Sequence, residues 1–162
     1  MDRKTEAALN KQLNAEAYSS YLYLAMSAYF ESENLRGFAH WMRVQAGEEW
    51  MHAMKFYDHI RARLGRVELA AISAPPREWK SPLAAFEEAF KHEQMVSGLI
   101  HGLVDLATKS KDHATANFLQ WFVSEQVEEE AQTDEIVQKL NQMRDAPAGL
   151  FIVDRELAQR KD

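Results

Sequence analysis

The sequence has no cysteine, which excludes disulfide frameworks, thiolate nucleophiles, iron-sulfur clusters and thiolate zinc sites; any metal would have to be held by oxygen and nitrogen. Glycine and proline are scarce, six and four in 162 residues, so disorder is not expected and helix is favoured. No run approaches the roughly 18 apolar residues that a membrane span needs. The N-terminal Met-Asp-Arg-Lys-Thr-Glu lacks an apolar signal region, so the expectation is a cytoplasmic location with no membrane contact. A basic arm is also missing, and with a formal net charge of −6 no nucleic-acid partner is expected. What is present, 46% hydrophobic and 27% charged residues, suits one all-α domain over residues 1–162.

Helical periodicity covers four long segments, about residues 5–33, 35–64, 82–109 and 113–142. Asn34 is the expected N-cap of the second and Gly65 its stop. Ser81-Pro82 opens the third, and Asp112, after Lys109-Ser110-Lys111, caps the fourth. Short connections make the first two helices one antiparallel hairpin and the last two another. Between the hairpins, residues 65–80 contain Pro75-Pro76 and no apolar stripe, as a linker would. A helix of about 30 residues is about 45 Å long, and about 16 extended residues span about 50 Å. The linker can therefore run the length of a bundle and leave the second and third helices parallel, the one-crossover topology. Asp145, Pro147 and Gly149 then break the pattern before a short amphipathic tail, an expected fifth helix over about 148–160 whose role the pattern does not show.

Alternating steps of three and four residues trace one buried seam per helix. The seams are Leu9, Leu13, Glu16, Ser20, Tyr23, Ser27, Phe30; Phe38, Met42, Gln45, Glu49, His52, Phe56, His59; Phe86, Phe90, Glu93, Ser97, Ile100, Val104; and Leu119, Phe122, Gln126, Glu129, Thr133, Ile136, Leu140. Each turns polar midway, so Glu16, Glu49, Glu93 and Glu129 should meet in one layer. Buried carboxylates are costly unless compensated, and no seam position carries Lys or Arg. Two divalent cations would balance the four charges, with His52 as a nitrogen ligand and Gln126 as a hydrogen-bonding neighbour. Glu49-x-x-His52 places both side chains toward one metal pair.

The set Asn14-Ala15-Glu16, Ser19 to Leu24, Gly37-Phe38-Ala39-His40-Trp41, Glu48-Glu49 with His52-Ala53, and Phe122 to Glu130 resembles the non-haem bacterial and archaeal ferritins over the full length. The resemblance implies a ferritin-like four-helix bundle and a ferroxidase centre with two iron ions per subunit. Glu16, Glu49 and His52 would hold one iron, Glu49, Glu93 and Glu129 the other, with Gln126 beside the second. It further implies a third, weaker iron site from Glu48, Glu125 and Glu128, with Glu129 shared, and a tyrosine, Tyr23, near the centre as an electron or hydrogen-bond donor. A second Glu-x-x-His and a haem-binding methionine, features of the similar bacterioferritins, are replaced by Glu129 and Trp50. No haem is therefore expected, and Met51 reads as a packing residue.

The implied partners are 23 further copies in a hollow 24-subunit shell, with Fe²⁺ and O₂ or peroxide as substrates. Two alternatives stay open: an iron-dependent peroxide or oxygen scavenger of the same fold, and a 12-subunit DNA-protecting relative, which the absent basic tail disfavours. His40, His59, His92, His101 and His113 read as structural or surface residues, and Trp41, Trp79 and Trp121 as core or interface aromatics.

Overall fold

In a computed structural model that describes residues 1–161, the chain forms α1 (Arg3–Ser32), α2 (Arg36–Ala62), α3 (Pro82–Lys109), α4 (His113–Gln142) and α5 (Gly149–Leu157), with no strand among the described residues. Three starts are capped by the residue before the helix. Asp2 accepts from the Thr5 amide at 2.7 Å, Ser81 from the Ala84 amide at 3.1 Å, and Asp112 from the Thr115 amide at 3.1 Å. The bounds of α3 and α4 match those expected.

The start of α2 does not. Asn34 closes α1 instead of capping α2: it sits in the left-handed region at φ 60°, its amide bonds Glu31 O, and the Leu35 amide bonds Phe30 O. The same two-bond motif recurs at Leu64 (φ 58°) and Lys111 (φ 56°). Thus Leu64, not Gly65, makes the left-handed turn after α2. A Cβ on Gly65 would lie 2.7 Å from Met1 Cε and 2.8 Å from Glu6 Oε2, both tips of flexible side chains that can move aside, so neither the turn nor the space demands glycine there. The first amides of α2 are satisfied from α5, where Asp154 Oδ1 accepts from Gly37 at 2.8 Å and Phe38 at 3.1 Å. A Cβ on Gly37 would come within 1.7 Å of the Asp154 carbonyl oxygen, so this contact requires glycine. The fifth helix therefore completes the second.

The topology is the expected one. Ser27 Oγ donates to Ala39 O and Ser20 Oγ to Ala46 O, which fixes α1 antiparallel to α2. Phe86 of α3 packs on Phe38 and Trp41 at one end of the bundle, while Ile100 shares the other end with Phe56, so α2 and α3 run parallel. The crossover lies along α1. Asn10 Nδ2 donates to Arg66 O at 3.0 Å while its Oδ1 accepts from the Glu68 amide at 2.7 Å, and Asn14 Nδ2 reaches Ala71 O at 3.2 Å. Further on, Trp79 packs on Tyr29 with ring centroids 5.4 Å apart.

The core divides into two apolar clusters. One gathers Phe30, Phe38, Met42 and Phe86, the other Leu9, Phe56, Ile100, Leu119 and Phe122. All seven seam positions of α4 are buried; on α3, Phe90 and Val104 fall at the margin while Ala89, Val96 and Leu103 are inside. A straight helix turns every 3.6 residues, so a walk averaging 3.5 drifts off the buried face toward the ends. His59 stacks on Phe118, His92 is buried against Ser19 Oγ at 2.7 Å, and His101 and His113 are exposed. Met51, expected as a packing residue, is 60% exposed. None of the described helices is long and apolar enough to cross a membrane.

Replacing Asp154 with Ala should lower unfolding stability by about 1 kcal/mol, the usual value of a lost cap. Leu64→Gly should hold or raise it, since the Cβ strain of the left-handed turn disappears. Denaturant midpoints of the two variants check both, and a fall for Leu64→Gly contradicts the assignment.

Candidate metal centre

Between the two apolar clusters Glu16 of α1, Glu49 and His52 of α2, Glu93 of α3, and Gln126 and Glu129 of α4 are all buried. Ligand atoms of Glu16, Glu49 and His52 lie within 4.8 Å of one another, and so do those of Glu49, Glu93 and Glu129. The structure thus brings together two ligand sets that share Glu49. His52 Nδ1 lies 3.3 Å from Glu49 Oε2, aiming the imidazole nitrogen into the first set.

Neutral donors hold the carboxylates. Gln12 Nε2 donates to Glu16 Oε1 at 2.8 Å; Gln45 Nε2 donates to Glu49 Oε1 at 2.9 Å and to Glu129 Oε2 at 2.8 Å. Gln126 Nε2 donates to Glu93 Oε2 at 3.1 Å and to Glu93 O at 3.2 Å, and the buried Tyr23 hydroxyl donates to Glu93 Oε1. Glu16 Oε2 is buried and has no hydrogen-bond partner. An orphaned oxygen beside a nitrogen and further carboxylates suits a hard divalent cation. The spacing of four between Gln12 and Glu16, repeated at Gln45 and Glu49, was the available signal for these donors.

The residues suggested for a third position separate. Glu125 Oε1 lies 4.0 Å from His52 Nε2, and Glu125, His52 and Glu129 form a third group within 4.8 Å. Glu48 instead pairs with Arg160 at 2.5 Å, and Glu128 is exposed and outside these groups. Glu125 and His52 border an open cavity of about 730 Å³ between α2 and α4, which Met51, Lys55 and Trp121 also line. Trp50, next to Glu49 on α2, is half-exposed.

A family model described as a ferritin-like domain matches residues 6–143. The chain belongs to the ferritin family. It is 47% identical to a bacterial non-heme ferritin of Bacteroides fragilis over 160 residues, 99% of each chain. With the corresponding protein of Staphylococcus saprophyticus it shares 42% over 153 residues, 94% of this chain and 92% of that one. Among solved structures, an open-pore ferritin from the archaeon Archaeoglobus fulgidus superposes with a TM-score of 0.98 at 53% identity, covering 99% of this chain and 98% of that one. A humanized archaeal ferritin gives 0.98 at 51%, with the same coverage.

In this ferritin-family bundle the centre is electrostatically incomplete. Burial first, then the charge of Glu49, raises the Glu16 carboxyl to about 8; burial, then Glu49 and Glu93, raises Glu129 to about 9. Burial likewise pushes Glu49 and Glu93 upward. No Lys or Arg pairs with any of the four among the described residues. Because these folded-state values lie above the unfolded one, their contribution favours folding fully at low pH and is lost as pH rises through the folded values. The metal-free protein should therefore lose thermal stability between about pH 5 and 9. A divalent cation should restore it most at the alkaline end, which melting curves with and without Co²⁺ measure; a metal-free midpoint that climbs with pH would contradict the site's electrostatics.

Proposed function

We propose that the chain is the subunit of a cytoplasmic iron store that oxidises Fe²⁺ at this centre and deposits Fe³⁺ in a shell, with Fe²⁺ as substrate. The observation that carries this reading is the pair of buried ligand sets joined by Glu49, left without a basic partner. One Fe²⁺ would sit among Glu16, Glu49 and His52, the other among Glu49, Glu93 and Glu129, with Gln126 orienting Glu93. Oxygen donors favour the ferric over the ferrous ion, which lowers the barrier to electron loss. Two Fe²⁺ give up two electrons, and O₂ with two protons accepts them to form H₂O₂; peroxide could accept a further pair. Incomplete protein ligation leaves room for the oxidant and lets the product ion depart.

Glu125, grouped with His52 and Glu129 and bordering the cavity, would receive the departing ion at the third position. Glu48 and Glu128 would join only after their side chains swing inward. Tyr23, hydrogen-bonded to Glu93, would supply an electron. Storage needs an enclosed volume that one bundle lacks, and the likeness to open-pore and engineered closed-form archaeal ferritins supports a homo-oligomeric shell, proposed as 24 subunits. The scavenger reading uses the same residues and differs only in how much iron is retained.

Glu49→Ala should abolish rapid Fe²⁺ oxidation, a loss exceeding the roughly 10–100-fold expected from removing an outer neighbour, because both ligand sets lose a member. Stopped-flow absorbance after mixing with O₂ checks this, and unchanged kinetics refute the site. Iron analysis of the reloaded native assembly should find far more metal than two ions per chain; retention of only the bound pair favours the scavenger.

A further inference from the structure

We propose that Arg160, on the segment after α5, is a positioning residue for the carboxylate centre and acts through Gln45. The proposal rests on the functional reading above, because it concerns how the same centre is held ready for divalent metal.

Arg160 is far from a loosely held surface arginine. Its guanidinium lies 4.2 Å from the centroid of the Trp41 ring, and the side chain is only 13% exposed. It donates to Gln45 Oε1 at 2.8 Å, to Glu48 Oε2 at 2.5 Å and to Trp41 O at 3.4 Å, while its own carbonyl oxygen accepts from His40 at 2.8 Å. A planar fork that stacks and donates at several points fixes direction as well as charge.

Gln45 is fully buried and has one amide to divide between two sides. A guanidinium offers donors and no acceptor, so the Gln45 oxygen must face Arg160 and its NH₂ must face inward. That NH₂ is the group that bonds Glu49 and Glu129 together. Glu49 is common to both ligand sets, and Glu129 comes from the opposite hairpin, so one amide ties the two hairpins at the centre. The last torsion of a glutamine side chain is broad and roughly two-fold, which makes a turned amide accessible in the absence of a constraint. Turned over, it would set its oxygen against carboxylate oxygens and push them apart. Arg160 removes that competing arrangement.

The tail itself is docked independently of Arg160, through buried Val153 and Leu157 and the Asp154 cap, so the bundle retains its anchors when the arginine is replaced. The test is an anaerobic Co²⁺ titration of the native assembly, followed by visible absorption, because Co²⁺ reports ligand geometry without being oxidised. Gln45→Leu should weaken Co²⁺ binding about 10–100-fold, and Arg160→Gln, one layer further out, about 3–10-fold with an altered band shape. Arg160→Lys, which cannot stack and donate to both partners, should fall between Arg160→Gln and the unaltered chain.

The combined Arg160→Gln and Gln45→Leu variant should bind no more weakly than Gln45→Leu alone, since the influence passes through Gln45. Unchanged affinity and spectrum in Arg160→Gln overturn the proposal, as does a loss that adds in full to that of Gln45→Leu. A role limited to anchoring the tail would lower the melting midpoint in chelator while leaving the Co²⁺ spectrum intact, and that result also overturns it. If the unaltered chain takes up fewer than two Co²⁺, the functional reading fails, and the comparison at the remaining ion still decides the role of Arg160.

Discussion

Four glutamates, one from each long helix, lean into a single buried layer where no lysine or arginine answers them. Such a layer opposes folding, because every charged carboxylate kept from water without a counter-ion is unfavourable by several kcal/mol. The bundle persists because its apolar clusters lie on both sides of the layer: Phe30, Phe38 and Phe86 toward one end, Phe56, Phe122 and Ile100 toward the other. Stability and function are therefore separated along the helix axis. Apart from His52, only neutral amides and a phenol approach the carboxylates, and neutral donors can orient them without taking the place of a cation.

The same economy explains the partners around the layer. A lysine at the position of Gln12 or Gln45 would satisfy the glutamates permanently and remove the driving force for cation binding. A glutamine leaves the charge uncompensated while fixing where it points. Glu16 keeps one oxygen with no partner at all, so part of the receiving geometry exists before anything binds. The fifth helix contributes at two levels: Asp154 closes the open end of α2, and the segment beyond reaches the amide that links Glu49 with Glu129.

Much of this was legible in sequence because the signals were local. Ser81-Pro82 and Asp112 cap the helices they precede, and the ends of α3 and α4 follow from them. The four glutamates, His52 and Gln126 each fell on the seam of their own helix because helical spacing is short-range and regular. The start of α2 was not legible, since its cap comes from Asp154, 117 residues beyond Gly37 in the chain. Leu64 took the turn expected of Gly65 because the two-bond closure sets which residue is left-handed. Glu48 looked equivalent to Glu125 from its charge and neighbours; only the folded tail, which brings Arg160 to one and leaves the other beside His52, tells them apart.

The crossover pinned along α1 by Asn10 and Asn14 bears on how the chain reaches this state. Each hairpin is closed by a brief turn and can form from neighbours in sequence, whereas contacts between hairpins join distant parts of the chain and must await loop closure. The carboxylates of Glu16 and Glu49 on one hairpin and of Glu93 and Glu129 on the other stay hydrated until that late docking. Their repulsion therefore falls on the docking of the two hairpins, and a metal ion arriving then would act as the clasp.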